Sequence, residues 1–419
     1  MVGIAQMAGE IAMRAREASR TIARADTETK NEVLRRMAML LEERGEEIVK
    51  ANAQDVEGAG RRGLRPALVE RLVFDKRKIQ ARIRALMKIA ALADPVGQIY
   101  GADRRPNGLM VGRMRVPLGV ILMIYEARPH VTVNGGALAL KAGNALILKG
   151  GSEAKLCNAL LGRFWMDALE TCGLPTDAVQ VVSFGHDAVH ELLKQDDLID
   201  VVIPRGGKEL IKDVRERSRI PLIKHFEGVC HVYVAHGADK KKALDIILDS
   251  KLLMPAVCNA AETVLVDEAL CEWLPDLVSA LRQNKVEVRG CPVVCRHASD
   301  VKPASEDDWS TEYLDRIYSI KAVSDADEAI EHITRYGSGH TDVIVTEDYS
   351  LANRFIQEVD SSVVLVNAST MFCDGESLGM GAEVGISTDK LHARGPVGLE
   401  GLTSYKFVVF GDGQIMGQT

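Results

Sequence analysis

The chain has 419 residues, a hydrophobic fraction of 47%, a charged fraction of 26% and a net charge of -7. At about 150 residues per domain this length implies two or three domains, and the acidic balance excludes a general nucleic-acid binder, which would carry a clustered basic surplus. No stretch reaches the ~18 apolar residues of a membrane span, and the amphipathic N-terminus lacks a signal peptide's apolar core, so a cytoplasmic protein without membrane partners is expected.

Residues 5–92 read as helical. In "KNEVLRRMAMLLEERGEEIVKANAQDV", Val33, Leu34, Met37, Leu40, Leu41 and Ile48 recur at helical spacing with charges opposite. "ADPVG" (93–97) ends this region, and 98–115 read as a polar two-stranded ribbon. An alternating series follows: strand "GVILMIY" (119–125), helix "HVTVNGGALALKAG", strand "ALILK" (145–149), then a helix with Ser152 as N-cap and Gly173 just past its end. Strands "VQVVSF" (179–184), "IDVVIP" (199–204) and "PLIKHF" continue it, the first two each followed by a helix. Apolar strands separated by helices predict a doubly wound parallel sheet. A second alternating series runs from "VCHVYVA" near 229 through "TVLVDE", "KVEVRG", "IYSIKAV" and "DVIVTE" to "SSVVLVN", enough for a second α/β domain. "SYKFVVFGDGQ" (404–414) reads as a last strand.

Eight cysteines show no repeated short spacing. Cys291 and Cys295 with His297 form the tightest group, but zinc sites usually take four ligands and no second pair follows. That segment reads as a strand edge with two buried thiols, and no metal is expected. Cys258, in "KLLMPAVCNAAETVLVDE", differs. Pro255 breaks the preceding helix, and the small residues after the cysteine leave room and free backbone N–H groups. Local sequence leaves two readings, an inert buried thiol and a nucleophile. The "GxGxxG" nucleotide fingerprint is absent after the first strand. Lys149 with Gly150 and Gly151, and Arg205 with Gly206 and Gly207, instead make cationic, glycine-rich strand-to-helix turns. These suit a phosphate-bearing ligand or serve only as tight turns.

The order "PLGV", "ALKAGNALILKGGSEA", "VIPRGG", "FEGVCHVYV" and Cys258 resembles that of the aldehyde dehydrogenase superfamily. "YEARPHVTVNGGALALKAGNALILKGGSEA", "AIEHITRYGSGHTD" and "GMGAEVGISTDKLHARGPVGLEGLTSYK" are similar to its gamma-glutamyl phosphate reductase (glutamate-5-semialdehyde dehydrogenase) branch. The resemblance covers most of the chain. It implies two doubly wound α/β domains and a small oligomerisation ribbon. The NADPH-binding domain is expected at 1–97 and 116–228, with a return near 385–403. The catalytic domain is expected at 229–384, and the oligomerisation strands at 98–115 and 404–419.

The implied reaction reduces L-glutamyl 5-phosphate with NADPH to L-glutamate 5-semialdehyde and phosphate, the second step of proline synthesis from glutamate. No kinase segment precedes the match, so a stand-alone reductase is expected; the resemblance further implies functional coupling to a separate glutamate 5-kinase and a homodimer or homotetramer. Cys258 aligns with the nucleophile, and its peptide N–H and that of Asn259 are candidates for an oxyanion hole. Glu227 aligns with the carboxylate that activates water in oxidising relatives, a step absent here, leaving it proton transfer or a holding role. Lys149 resembles the lysine at the adenosine ribose. Oxidising NAD enzymes often place a glutamate three residues on, where this chain has Ser152, which fits a 2′-phosphate. Arg205, Gly206 and Gly207 align with the turn facing the cofactor phosphates, and Glu312 with the carboxylate at the nicotinamide ribose. The glycine and proline that usually follow it are replaced by Leu314, Asp315 and Arg316. Arg128, His225, His392 and Arg394 are the candidate cations for the substrate, Arg394 having a structural bridge as its other reading. Met371 stands where the family often has arginine. The rival readings are an NAD(P)-dependent oxidative aldehyde dehydrogenase, which would favour an acid at 152, and a cofactor-free cysteine acyl transferase.

Overall fold

The computed structural model describes residues 3–64, 66–183 and 185–416. It divides into two units: Met1–Lys224 with Gly379–Gly385 and Val397–Thr419, and His225–Leu378 with Ile386–Pro396. The division expected after 228 falls after 224, so His225, Glu227 and Gly228 lie in the unit of Cys258. The expected return near 385–403 is interrupted, because 386–396 belong to the second unit.

In the first unit, α1 (Ile4–Ile22), α2 (Thr27–Glu43), α3 (Gly45–Arg61), α4 (Pro66–Leu72) and α5 (Lys76–Ala91) precede the sheet. Asp26 and Asp75 cap α2 and α5 by accepting from the N–H groups of Thr29 and Lys78, each at 2.7 Å. The expected stripe from Val33 to Ile48 is buried. Strands β1 (Ile99–Arg104) and β2 (Met110–Pro117) pair antiparallel as the ribbon.

Next come β3 (Val120–Tyr125), α6 (Pro129–Lys141), β4 (Ala145–Gly150), α7 (Lys155–Thr171), β5 (Val179–Val182), α8 (His186–Leu192), β6 (Val201–Arg205) and α9 (Lys208–Arg217). Their strands form a parallel sheet in the order β5-β4-β3-β6. Every residue of β3 is buried, as helices on both faces require. Two expectations differ. "PLIKHF" makes one parallel bridge, Leu222 to Val202, and no strand; Pro221 has no N–H to give a ladder. Ser152 opens a 3₁₀ turn instead of capping α7. The first N–H groups of that helix, on Leu156 and Cys157, are held instead by the carboxylate of Asp55 from α3 at 3.1 and 2.8 Å.

The second unit contains β7 (Cys230–Val234), α10 (Lys240–Leu252), β8 (Ala261–Asp267), α11 (Leu274–Gln283), β9 (Glu287–Gly290), α12 (Pro292–His297), β10 (Lys302–Pro303), β11 (Ile317–Val323), α13 (Ala326–Tyr336), β12 (Thr341–Val345), α14 (Tyr349–Glu358) and β13 (Val363–Val366). These strands make a parallel sheet in the order β10-β9-β11-β8-β7-β12-β13. Strands β14 (Ile386–Ser387) and β15 (Gly395–Pro396) pair antiparallel. Cys291 and Cys295 sit at and on the short helix α12, not on a strand edge, and Cys295 is only half-buried. In the first unit, β16 (Thr403–Phe410) pairs antiparallel with β2 along its whole length. Among the described residues, no helix is long and apolar enough to cross a membrane.

Candidate active site

Parallel neighbours start on the same edge of a sheet. In the second unit the segments leading into β11, β8, β7 and β12, four adjacent strands, carry Glu312, Cys258, His225 to Gly228, and His340 respectively. Cys258 is half-buried in the loop between α10 and β8, which Pro255 keeps from continuing the helix. The backbone at Gly228 lies directly against it: a Cβ there would fall 1.8 Å from the Cys258 carbonyl oxygen and 2.6 Å from its Cα. Only glycine fits this approach. Gly228 N–H donates to Glu312 Oε1 at 3.0 Å, and buried Cys230 donates from Sγ to the Cys258 carbonyl at 3.2 Å. Burial pushes the Cys230 thiol well up, so it stays a neutral donor.

Two imidazoles complete this corner. A ring nitrogen of His225, the Cys258 sulfur and a ring nitrogen of His340 all lie within 4.8 Å of one another. The rings meet edge to face, with centroids 5.4 Å apart. His225 Nδ1 is 2.9 Å from the Ile386 carbonyl, which can only accept. The proton is therefore on Nδ1 and the lone pair of the neutral ring on Nε2. His340 is fully buried, with Nδ1 2.8 Å from the Thr341 hydroxyl and 3.7 Å from Cys230 Sγ.

The rest of the unit holds the nucleophile loop at both ends. The Asn259 amide donates to the carbonyls of Thr370, Met371 and Cys373 at 3.5, 3.3 and 3.2 Å, so its side chain is a clamp on that segment. Met371 is buried there. Below the loop, Lys251 at the end of α10 pairs with Glu262 at the start of β8 at 2.5 Å, both side chains fully buried. Burial raises the Glu262 carboxyl to about 7 and lowers the Lys251 ammonium. Glu262 also accepts from Leu314 N–H at 3.4 Å. Leu314 has φ 55°, the left-handed region that favours glycine. Among the other expected site residues, Arg394 is committed to Asp360, with 2.8 Å contacts to its carboxylate and its carbonyl. His392 is exposed and Glu227 half-buried.

In the first unit the candidates gather at the C-terminal ends of adjacent strands β4, β3 and β6, where parallel sheets bind ligands. Lys149 and Gly150 end β4; the Lys149 ammonium bonds the Gly150 carbonyl at 2.7 Å, and burial lowers its pKa. Gly150 has no room for a Cβ, which would meet Asn158 at 2.2 Å. Glu153, one residue past the expected acid position, turns inward and accepts from Ala127 N–H at 2.5 Å. At the second turn, Gly207 N–H donates to Glu126 Oε2 at 2.8 Å. The start of α9 thus already holds one carboxylate, as a helix N-terminus favours. A Cβ on Gly206 would collide with the same carboxylate at 2.5 Å. Arg205 ends β6, with a guanidinium nitrogen 2.3 Å from where a Gly385 Cβ would stand. Arg128 is half-buried just before α6. His130 beside it is held at about 3 by burial and by the charges of Arg82, Arg128, Arg205 and Lys78. This edge is electropositive.

Sequence reasoning missed His340, Gly228, Cys230 and Glu126. Each had a signal: a histidine after "GSG" before a strand, a glycine and cysteine leading into β7, and an acid just after β3.

The family model described as "Aldehyde dehydrogenase family" matches residues 4–291. A gamma-glutamyl phosphate reductase from Desulfatibacillum aliphaticivorans is 50% identical over 408 residues, 97% of this chain and 98% of that protein. The crystal structure of a gamma-glutamyl phosphate reductase from Thermotoga maritima is 44% identical, covers 98% of this chain and 99% of its own, and superposes with a TM-score of 0.95. An acetylating aldehyde dehydrogenase from Geobacillus thermoglucosidasius, 20% identical with a TM-score of 0.71 over 99% of this chain and 98% of its own, shares the fold. The chain belongs to the aldehyde dehydrogenase family, within its gamma-glutamyl phosphate reductase branch.

Proposed function

We propose that this enzyme reduces L-glutamyl 5-phosphate with NADPH to L-glutamate 5-semialdehyde and phosphate through a thioester on Cys258. The observation that carries the reading is the corner where the Cys258 sulfur meets two imidazoles on the edge of a rigid parallel sheet. The near-full-length likeness to proteins of that name gives the substrate. Cys258 attacks the acyl carbon and phosphate leaves, so the glutamyl group is held on sulfur. The thiol proton passes to Nε2 of His225 and departs with the phosphate. NADPH, when bound, supplies the hydride that reduces the thioester. The carbon–sulfur bond then breaks, releasing the aldehyde, and the thiolate recovers a proton from solvent. The peptide N–H groups of Cys258 and Asn259 stabilise the developing oxyanion. Glu312, fixed on Gly228 N–H, and half-buried Glu227 act as positioning groups.

The first unit's residues fit a nicotinamide dinucleotide with a 2′-phosphate. Lys149, Gly150 and Ser152 meet the ribose and its phosphate, Ser152 standing at the acid position and the Glu153 carboxylate being turned onto Ala127 N–H. The turn at Arg205, Gly206 and Gly207 takes the diphosphate, with Glu126 marking where an anion sits. Arg128, His392 and Arg394 remain the cations assigned to the substrate, Arg394 acting through its bond to Asp360, while His225, also expected to bind the substrate, serves as the base. A homo-oligomer also belongs to this reading. Phe407, Val409 and Phe410 of β16 are 62%, 54% and 60% exposed on an edge strand that a second copy would cover. The reading is tested by following NADP reduction with glutamate 5-semialdehyde as substrate. Phosphate should be required, arsenate should replace it, and absence of any NADP reduction would overturn the assignment.

A further inference from the structure

Sulfur and two imidazole nitrogens converging on one point are also the donor set of a zinc site. Zinc bonds nitrogen at about 2.0–2.1 Å and thiolate sulfur at about 2.3 Å, so tetrahedral geometry spaces its ligand atoms about 3.3–3.6 Å apart. The donor atoms of His225, Cys258 and His340 lie within 4.8 Å. Closing the difference takes a shift of about 1 Å, available to Cys258 on its loop and to half-buried His225, while buried His340 stays fixed. The surroundings match a metal site's outer layer. The 2.9 Å bond from His225 Nδ1–H to the Ile386 carbonyl orients the ring and leaves Nε2 to ligate. The Thr341 hydroxyl beside His340 can donate or accept, so it supports either tautomer.

We infer that His225, Cys258 and His340 form a binding site for thiophilic divalent cations, zinc above all. Binding replaces the thiol proton, which goes to solvent, with a sulfur–metal bond, and water fills the fourth position. Magnesium and calcium, which take oxygen ligands, do not bind there. Because the metal occupies the sulfur lone pair that would attack the acyl carbon, metal binding and acyl transfer exclude each other. The site reversibly masks the nucleophile.

Cobalt(II) tests the inference without any turnover, so its failure is separable from failure of the proposed reaction. Added to the full-length protein, cobalt should give a near-ultraviolet thiolate-to-cobalt charge-transfer band and the visible bands of four-coordinate cobalt. Zinc should abolish both. Cys258→Ser should lack the charge-transfer band. His225→Ala, at a half-buried position, should weaken cobalt binding at least the tenfold that loss of an outer-layer partner costs. Zinc should also protect Cys258 from iodoacetamide, with EDTA restoring labelling. No charge-transfer band, a band that survives Cys258→Ser, or affinity unchanged in a folded His225→Ala would each overturn it.

Discussion

Gly228→Ala probes how the nucleophile is held. The added Cβ would stand 1.8 Å from the Cys258 carbonyl oxygen and 2.5 Å from its carbonyl carbon. Both are backbone atoms, so no side chain can swing away. Opening 1.8 Å to the 3.0 Å that real Cβ contacts respect moves the two segments apart by about 1.2 Å. A misplacement near 1 Å costs about 100-fold in a positioned reaction, whereas forcing one extra carbon into packed structure costs about 1–3 kcal/mol of stability. The variant should therefore remain folded, with a modestly lowered Tm, and lose about 100-fold or more in kcat/KM. Glu312 loses its hold on Gly228 N–H in the same movement. Steady-state NADP reduction and circular-dichroism melts, run beside Gly58→Ala, whose Cβ meets nothing within 4 Å, separate the two effects. Gly228→Ala within a few-fold of wild type would show that the 228 backbone does not set the position of Cys258.

The buried Lys251–Glu262 pair should behave as one object. Lys251→Met, leaving the buried Glu262 carboxyl without its partner, should cost about 3–5 kcal/mol in denaturant unfolding, while the double change Lys251→Met with Glu262→Leu recovers much of it; a single change as mild as a surface substitution would contradict this. Burial would raise the Asp308 carboxyl, but hydrogen bonds from Ser305, Arg289 and Tyr313 outweigh it and hold it at about 2, below its ordinary 3.8. Its contribution is therefore complete above about pH 4 and lost as pH falls toward about 2. Melting temperature in that window should fall more steeply for wild type than for Asp308→Asn, and parallel slopes would refute it. Solution scattering should give a mass at least twice the 45.7 kDa of one chain; a monomer would remove the role given to β16.

The strand runs of both sheets were legible because both faces are covered, so "VILMIY" and "CHVYV" are apolar at every or nearly every position. "PLIKHF" looked equally apolar at its start, yet Pro221 denies it a ladder. The start of α7 was misread for a non-local reason: its cap is Asp55, about a hundred residues earlier, and no local pattern records that. Cys258 could be suspected from Pro255 and the small residues after it. His340, Gly228 and Cys230 each stand at or just before a strand start, but their roles exist only once β7 lies between β8 and β12. Glu153 lies one residue past the expected acid position, but its use at Ala127 N–H depends on β3 and β4 being neighbours. Leu314 shows the converse. The missing glycine was visible, and the backbone keeps the left-handed conformation glycine would favour, with its N–H on Glu262.

The claim that Cys258 stores a glutamyl thioester is tested most directly by mixing enzyme, NADP and glutamate 5-semialdehyde without phosphate. A single turnover of NADPH per active site should appear and stop, with the acyl group mapped to Cys258, and added phosphate should then start steady turnover. Steady NADPH formation without phosphate, or a burst that survives Cys258→Ala, would contradict the account.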